Sequence, residues 1–128
     1  MNQQNNSFNF EELRVWQNSL ELAKMTYELI KSFPKQEQYG LADQLRRAVV
    51  SIALNIAEGR GRLHTAEFIQ FLSQARGSLY ETVTCLKLAI KLGYLTGVQA
   101  KQTMGYSHEI HHQINALIKS LKERKHLG

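Results

Sequence analysis

The chain has 128 residues, 43% of them hydrophobic and 21% charged, with a net charge of +5 and a sequence pI near 9.5. That length suits one domain spanning residues 1–128, and the composition excludes both a disordered chain and a fibrous repeat. No apolar run reaches the ~20 residues that cross a bilayer, and the amino-terminal MNQQNNSFNF lacks the regions of a signal peptide, so a cytoplasmic protein with no membrane partner is expected.

Four long periodic stretches follow, and all four read as helices. In the first, Leu13, Trp16, Leu20, Ala23, Tyr27 and Ile30 recur at steps of three and four, which predicts an inward stripe. Asn9 with Glu12 supplies a cap, residues 1–8 form a flexible arm, and Phe33-Pro34 ends the helix. The second helix starts between Lys35 and Leu41, turns Leu41, Leu45, Ala48, Ile52 and Ile56 inward, and stops near Glu58 at Gly59 and Gly61. A third, capped by Thr65, carries Phe68, Leu72, Ala75, Leu79, Val83, Leu86 and Ile90 to Gly93. Cys85, the single cysteine, reads as a small buried apolar residue on that helix. The fourth opens on a reciprocal capping box, Thr96 with Gln99, runs through Met104, Ile110, Ile114, Leu117 and Leu121, and frays over residues 122–128. Short connections force antiparallel neighbours, hence an all-α, up-down-up-down four-helix bundle.

The middle of the second helix, AVVSIALNIA, is apolar almost all round. Val50, Leu54 and Ala57 lie off its core stripe, so a second cover is required, and association with further copies is the simplest one. The alternative is cover by helix four or the amino-terminal arm of the same chain. Arg47, Ser51, Asn55 and Glu58 step along one side of this helix, facing Glu67, Gln74, Ser78 and Glu81 of the third. These residues are expected to form a buried polar seam, with Arg47 paired to Glu81, that fixes register rather than performing chemistry.

Three segments, FEELRVWQNSLELAKMTYELI, FPKQEQYGLADQLRRAVVSIALNIAEGRGR and EFIQFLSQARGSLYETVTCLKLAIKLGYL, carry a family pattern over residues 8 to 95. In these the chain resembles the four-helix bundle proteins encoded in intervening sequences of bacterial 23S ribosomal RNA. The resemblance implies a barrel-like homopentamer and no enzymatic activity. It also implies a relation to the accessory protein of diversity-generating retroelements, which binds nucleic acid and a reverse transcriptase.

Charge supplies the candidate binding surface. Residues 1–40 carry four basic and five acidic side chains, whereas residues 41–64 carry four and two, and residues 96–128 five and two. The turn Gly59-Arg60-Gly61-Arg62-Leu63-His64 presents two arginines and a histidine, a possible phosphate clamp, because arginine forks match phosphate oxygens in pairs. Arg46, Arg76, Lys87 and Lys91 extend this surface along helices two and three, and Lys119, Lys122, Arg124 and Lys125 form a separate patch. Arg60 and Arg62 could equally do no more than solvate a turn, and the terminal cations complement the negative end of helix four. No aromatic stacking platform is apparent, so shape and charge rather than base sequence would be read.

His108-Glu109-Ile110-His111-His112 matches the H-E-x-x-H signature on a predicted helix, which taken alone would make His108 and His112 zinc ligands and Glu109 the general base. A third ligand would have to be His126 or Glu123, in the tail. Surface histidines explain the match more simply, and no cofactor is expected. The sequence therefore predicts a non-enzymatic oligomeric scaffold that binds RNA or DNA electrostatically. A protein-interaction module without a nucleic-acid role is the alternative, and a zinc hydrolase the third reading.

Overall fold

The computed structural model describes residues 7–127, with side chains described through Arg124. Four α-helices dominate: α1 (Arg14–Ile30), α2 (Leu41–Arg60), α3 (Thr65–Lys91) and α4 (Gly97–Leu127). Two short 3-10 turns, Asn9–Glu12 and Lys35–Glu37, precede α1 and α2, and the described residues contain no strand. Each helix packs against two others, and the backbones of the diagonal pairs α1/α3 and α2/α4 do not approach. Cross-helix bonds set the directions: Ser51 meets Ser78 at 2.9 Å, Tyr80 meets His111 at 2.9 Å, and Asn18 donates to Gln113 at 3.0 Å. Later residues on one helix meet earlier ones on the next, so neighbours are antiparallel.

Two apolar clusters fill the interior. One gathers Leu22, Ile52, Ile56, Leu72, Ile110 and Ile114 toward the α2–α3 turn, and the other Ile30, Leu45, Leu86, Ala89 and Leu95 toward the opposite end. Along α1, α3 and α4 the buried Thr26, Thr82, Thr103 and Ser107 fall between the two clusters. Ser107 and Thr82 satisfy their hydroxyls by donating to carbonyls one turn back, at 3.0 and 2.8 Å. Thr26 Oγ1 is buried with no partner. Cys85 is buried, and that burial, with the Glu81 charge second, pushes its thiol above the ordinary value.

The face of α1 differs from the expected stripe. Val15, Ser19, Leu22, Thr26 and Ile30 are buried, whereas Leu20 is 45% and Tyr27 44% exposed. The more apolar stripe sits one step round the helix because Ser19 faces inward, its hydroxyl donating to the Val15 carbonyl at 2.7 Å. Trp16 and Ala23 line the margin of the core.

Boundaries also shift. Leu13, not Asn9, is the residue before α1, and the preceding turn is closed by Glu11, whose carboxylate accepts the Phe8 N–H at 3.1 Å. His64 rather than Thr65 precedes α3. Gly59 does not stop α2, which continues to Arg60. There a Cβ would lie 2.6 Å from the Phe71 Cβ and 3.0 Å from the Phe68 ring, so glycine permits close helix packing. Gly93, at φ +81°, does end α3: the Tyr94 N–H donates to the Ala89 carbonyl and the Gly93 N–H to that of Ile90. The capping box of α4 is present, with Thr96 N–H on Gln99 Oε1 at 2.8 Å and Gln99 N–H on Thr96 Oγ1 at 3.1 Å.

Residues 1–6 of the expected arm lie outside the described residues, and over residues 122–127 α4 continues as helix. No described helix is long and apolar enough to cross a membrane.

Candidate nucleic-acid interface

Register carries the end of α4 back to the α2–α3 turn. Arg76 donates to Asn115 at 2.7 Å and Tyr80 meets His111, one helical turn along on each helix, so residues near 124 lie level with the start of α3. Arg60, Arg62 and His64 consequently share one cleft, of about 310 Å³, with Arg124. Leu13, Phe68, Leu117 and Leu121 supply its apolar floor, and among the described residues no carboxylate lines it. The turn and the tail, which the sequence presents as separate patches, become one.

The three guanidinium groups are held differently. Arg62 Nη2 bonds to Glu58 Oε2 at 3.0 Å, and its Cζ lies 4.7 Å from the centre of the Phe71 ring. That ion pair is solvent-exposed and one turn long, a class worth at most about 1 kcal/mol, so a phosphate can displace Glu58. Arg60 is half-buried and makes no ion pair among the described residues. Arg124 and His64 are exposed.

The other proposed basic residues are not part of this cleft. Arg46 donates to the Gln38 carbonyl at 2.9 Å, which ties α2 to its preceding turn. Arg76 is half-buried and bound to Asn115, so its charge serves the α3–α4 contact. Lys87 and Lys91 are exposed, but Lys87 lies 23 residues beyond His64, about 35 Å along α3.

The polar seam is present only in its middle. Ser51 bonds to Ser78, and Asn55 Nδ2 donates to the Ser51 carbonyl at 2.9 Å and hydroxyl at 3.0 Å, all three residues half-buried. Arg47 pairs with Asp43 on its own helix at 2.9 Å instead of with Glu81, which accepts from Gln44. Glu58, Glu67, Gln74 and Glu81 are exposed, because the seam runs along the outer edge of the α2–α3 pair and not through the core.

Of the residues assigned to an oligomer face, Leu54 is 61% exposed, and Val50 and Ala57 are half-buried. Val50 and Leu54 share a shallow groove with Tyr27, which joins them to the misassigned outer stripe of α1. Neither α4 nor the described part of the amino-terminal segment covers Leu54.

His108 and His112 of the H-E-x-x-H match are exposed and border different grooves, His108 beside Tyr80 and Val83, His112 beside Leu13 and Val15. The intervening His111 accepts at Nε2 from Tyr80 or from Asn115, the latter at 3.2 Å. Glu123 is exposed and His126 lies outside the described side chains; among the described residues no three His, Cys, Asp or Glu are placed to hold a metal ion. A larger depression of about 810 Å³ follows the α1–α4 edge, where Glu109 offsets Arg14 and Lys101.

The model of the 23S rRNA-intervening sequence protein family matches residues 11–116. The chain belongs to that family. A solved structure from Bacteroides thetaiotaomicron, described as a protein of unknown function from the S23 ribosomal protein family, is 31% identical with a TM-score of 0.76. The match covers 82% of this chain and 98% of that one. No curated protein matches significantly. Membership of the intervening-sequence family accounts for the helical fold and carries no established function.

Proposed function

We propose that this protein is a non-enzymatic, oligomeric scaffold that binds RNA or DNA mainly through charge. The observation that carries the reading is the meeting of Arg60, Arg62, His64 and Arg124 around one cleft that no carboxylate of the described residues lines. Phosphate oxygens suit guanidinium forks, and Arg60, half-buried with no ion pair among the described residues, gains most from an incoming anion. Several such ends in one assembly, a homopentamer on the family resemblance, would turn a weak single contact into useful avidity. The uncovered strip of Leu20, Tyr27 and Leu54 supports assembly, since burying large apolar side chains contributes ~1.5 to 3 kcal/mol each. A reverse transcriptase or another protein would join as a further partner, in line with the resemblance to the retroelement accessory protein.

Titration of labelled oligonucleotide against salt tests this. Affinity should fall steeply as salt rises, and Arg60→Ala with Arg62→Ala should weaken binding and flatten the slope by about one unit per arginine lost. Salt-independent binding, or binding indifferent to both substitutions, would count against the reading and in favour of a protein-only partner.

A further inference from the structure

Phe8, Phe10 and Trp16 form a run of rings at the same end of the bundle as the arginine cleft. Phe8 and Phe10 are nearly parallel, 8° apart with centroids at 5.7 Å, and Phe10 meets Trp16 edge-on at 5.1 Å. The 3-10 turn that carries Phe10 and follows Phe8 packs on α1 and α2, and Leu13, directly after it, lines the cleft with Arg60 and Arg62. Phe8 is 68% exposed, although Phe10 backs it and the Glu11 carboxylate pins its N–H. A ring held in place and left open to water is the arrangement that stacks a nucleobase.

Arginines alone do not distinguish strand forms, because every nucleic acid offers phosphates. An open aromatic face does: a duplex keeps its base faces stacked inside, whereas an unpaired strand exposes them. A cleft of about 310 Å³ is at the small end of ligand sites, which fits a phosphate with part of one nucleoside.

We infer that this end of the bundle takes a single-stranded segment of RNA or DNA, with one base stacked on Phe8 and adjacent phosphates held by Arg60, Arg62 and Arg124. The inference rests on the nucleic-acid reading and adds the strand form to it. Phe8 supplies the preference for unpaired bases and Arg124 completes the cationic rim.

The test uses the full chain and a short fluorescein-labelled oligonucleotide, as single-stranded RNA, single-stranded DNA and duplex, followed by anisotropy. Single strands should bind more tightly than the duplex. Phe8→Ala should weaken single-strand binding about tenfold and leave duplex binding unchanged, while Arg124→Ala weakens both. Phe8→Trp should retain the preference and Phe8→Leu should lose it, which separates stacking from apolar bulk. The two oligonucleotide sugars distinguish RNA from DNA as the natural source. Equal affinity for both strand forms, or indifference to Phe8→Ala while the Arg60 and Arg62 substitutions still weaken binding, overturns the inference and leaves the nucleic-acid reading standing. Absence of binding to any of the three probes at low salt overturns both.

Discussion

Gly59 and Phe71 are packed so closely that a Cβ on the glycine would lie 2.6 Å from the phenylalanine Cβ. Both atoms belong to main-chain-proximal positions on neighbouring helices, so neither can swing aside. Gly59→Ala is therefore expected to destabilise the fold despite the better helix propensity of alanine, a gain of ~1 kcal/mol. Overpacking of this type costs about 1 to 3 kcal/mol, and urea unfolding should show a lower midpoint. Arg62 Cζ lies 4.7 Å from the centre of the same Phe71 ring, so on the proposed function this variant should also weaken oligonucleotide binding.

Thr26→Val is expected to act in the opposite direction. The threonine hydroxyl is buried without a partner, whereas valine matches its shape and carries no polar atom. Removing an unsatisfied buried hydroxyl should raise stability by about 1 kcal/mol, read as an increase in the urea midpoint at unchanged slope. A drop in stability would mean that a water satisfies Thr26.

In the proposed assembly, Leu54→Glu should leave the helical content unchanged and lower the mass seen in sedimentation velocity, because the side chain is exposed in the single subunit. A change at Leu63, which is 94% exposed at the α2–α3 turn, should leave assembly size alone. If Leu54→Glu sediments like the parent protein, the α1–α2 face is not where copies meet.

Glu37 links the two turns at the end opposite the arginine cleft. Its carboxylate accepts the Leu41 N–H at 3.0 Å and the Tyr94 hydroxyl at 2.7 Å, and these bonds, the backbone one first, hold its pKa below the ordinary carboxylate value. A lowered folded pKa contributes stability above the ordinary value that is lost as pH falls through the lowered one. Thermal midpoints should therefore drop on acidification in that window, and less so for Glu37→Gln. The Glu37 bond, followed by burial, raises the Tyr94 phenol, so its contribution is present below pH ~10 and is lost as pH rises through the raised value.

At His111 the hydrogen bonds select a tautomer. Arg76 donates to Asn115 Oδ1, which turns the Asn115 amide nitrogen toward His111 Nε2 and makes that ring nitrogen an acceptor. Nitrogen chemical shifts of the neutral imidazole should show the proton on Nδ1, and Arg76→Ala should relax that preference.

Helix number, order and approximate ends were legible in the sequence because spacing, the Thr96–Gln99 box and Gly93 each have a local physical meaning. The face of α1 was not, since two adjacent stripes satisfy helical periodicity and the inward one carries Ser19 and Thr26. A serine that bonds its own helix one turn back can face the core, which hydrophobicity alone does not reveal. Gly59 reads locally as a stop and serves instead as a contact, a distinction visible only once Phe71 is opposite it. Arg47 pairs with Asp43 one turn away on its own helix, a partner that requires no cross-helix alignment, while Glu81 is taken by Gln44. Within the candidate site, Arg60, Arg62 and His64 could be named from the turn. Arg124 could be joined to them only by carrying the α3–α4 register to the end of a long helix, and Phe8 only by seeing Phe10 behind it.

The arginine cleft sits at one pole of an elongated molecule, and that location constrains how neighbours could share a polyanion. A strand engaged there meets each bundle end-on, with the long axis standing away from the strand. The flanks bearing Leu20 and Leu54 then remain clear of it, so subunits could stand shoulder to shoulder along a common thread without any of them giving up its grip.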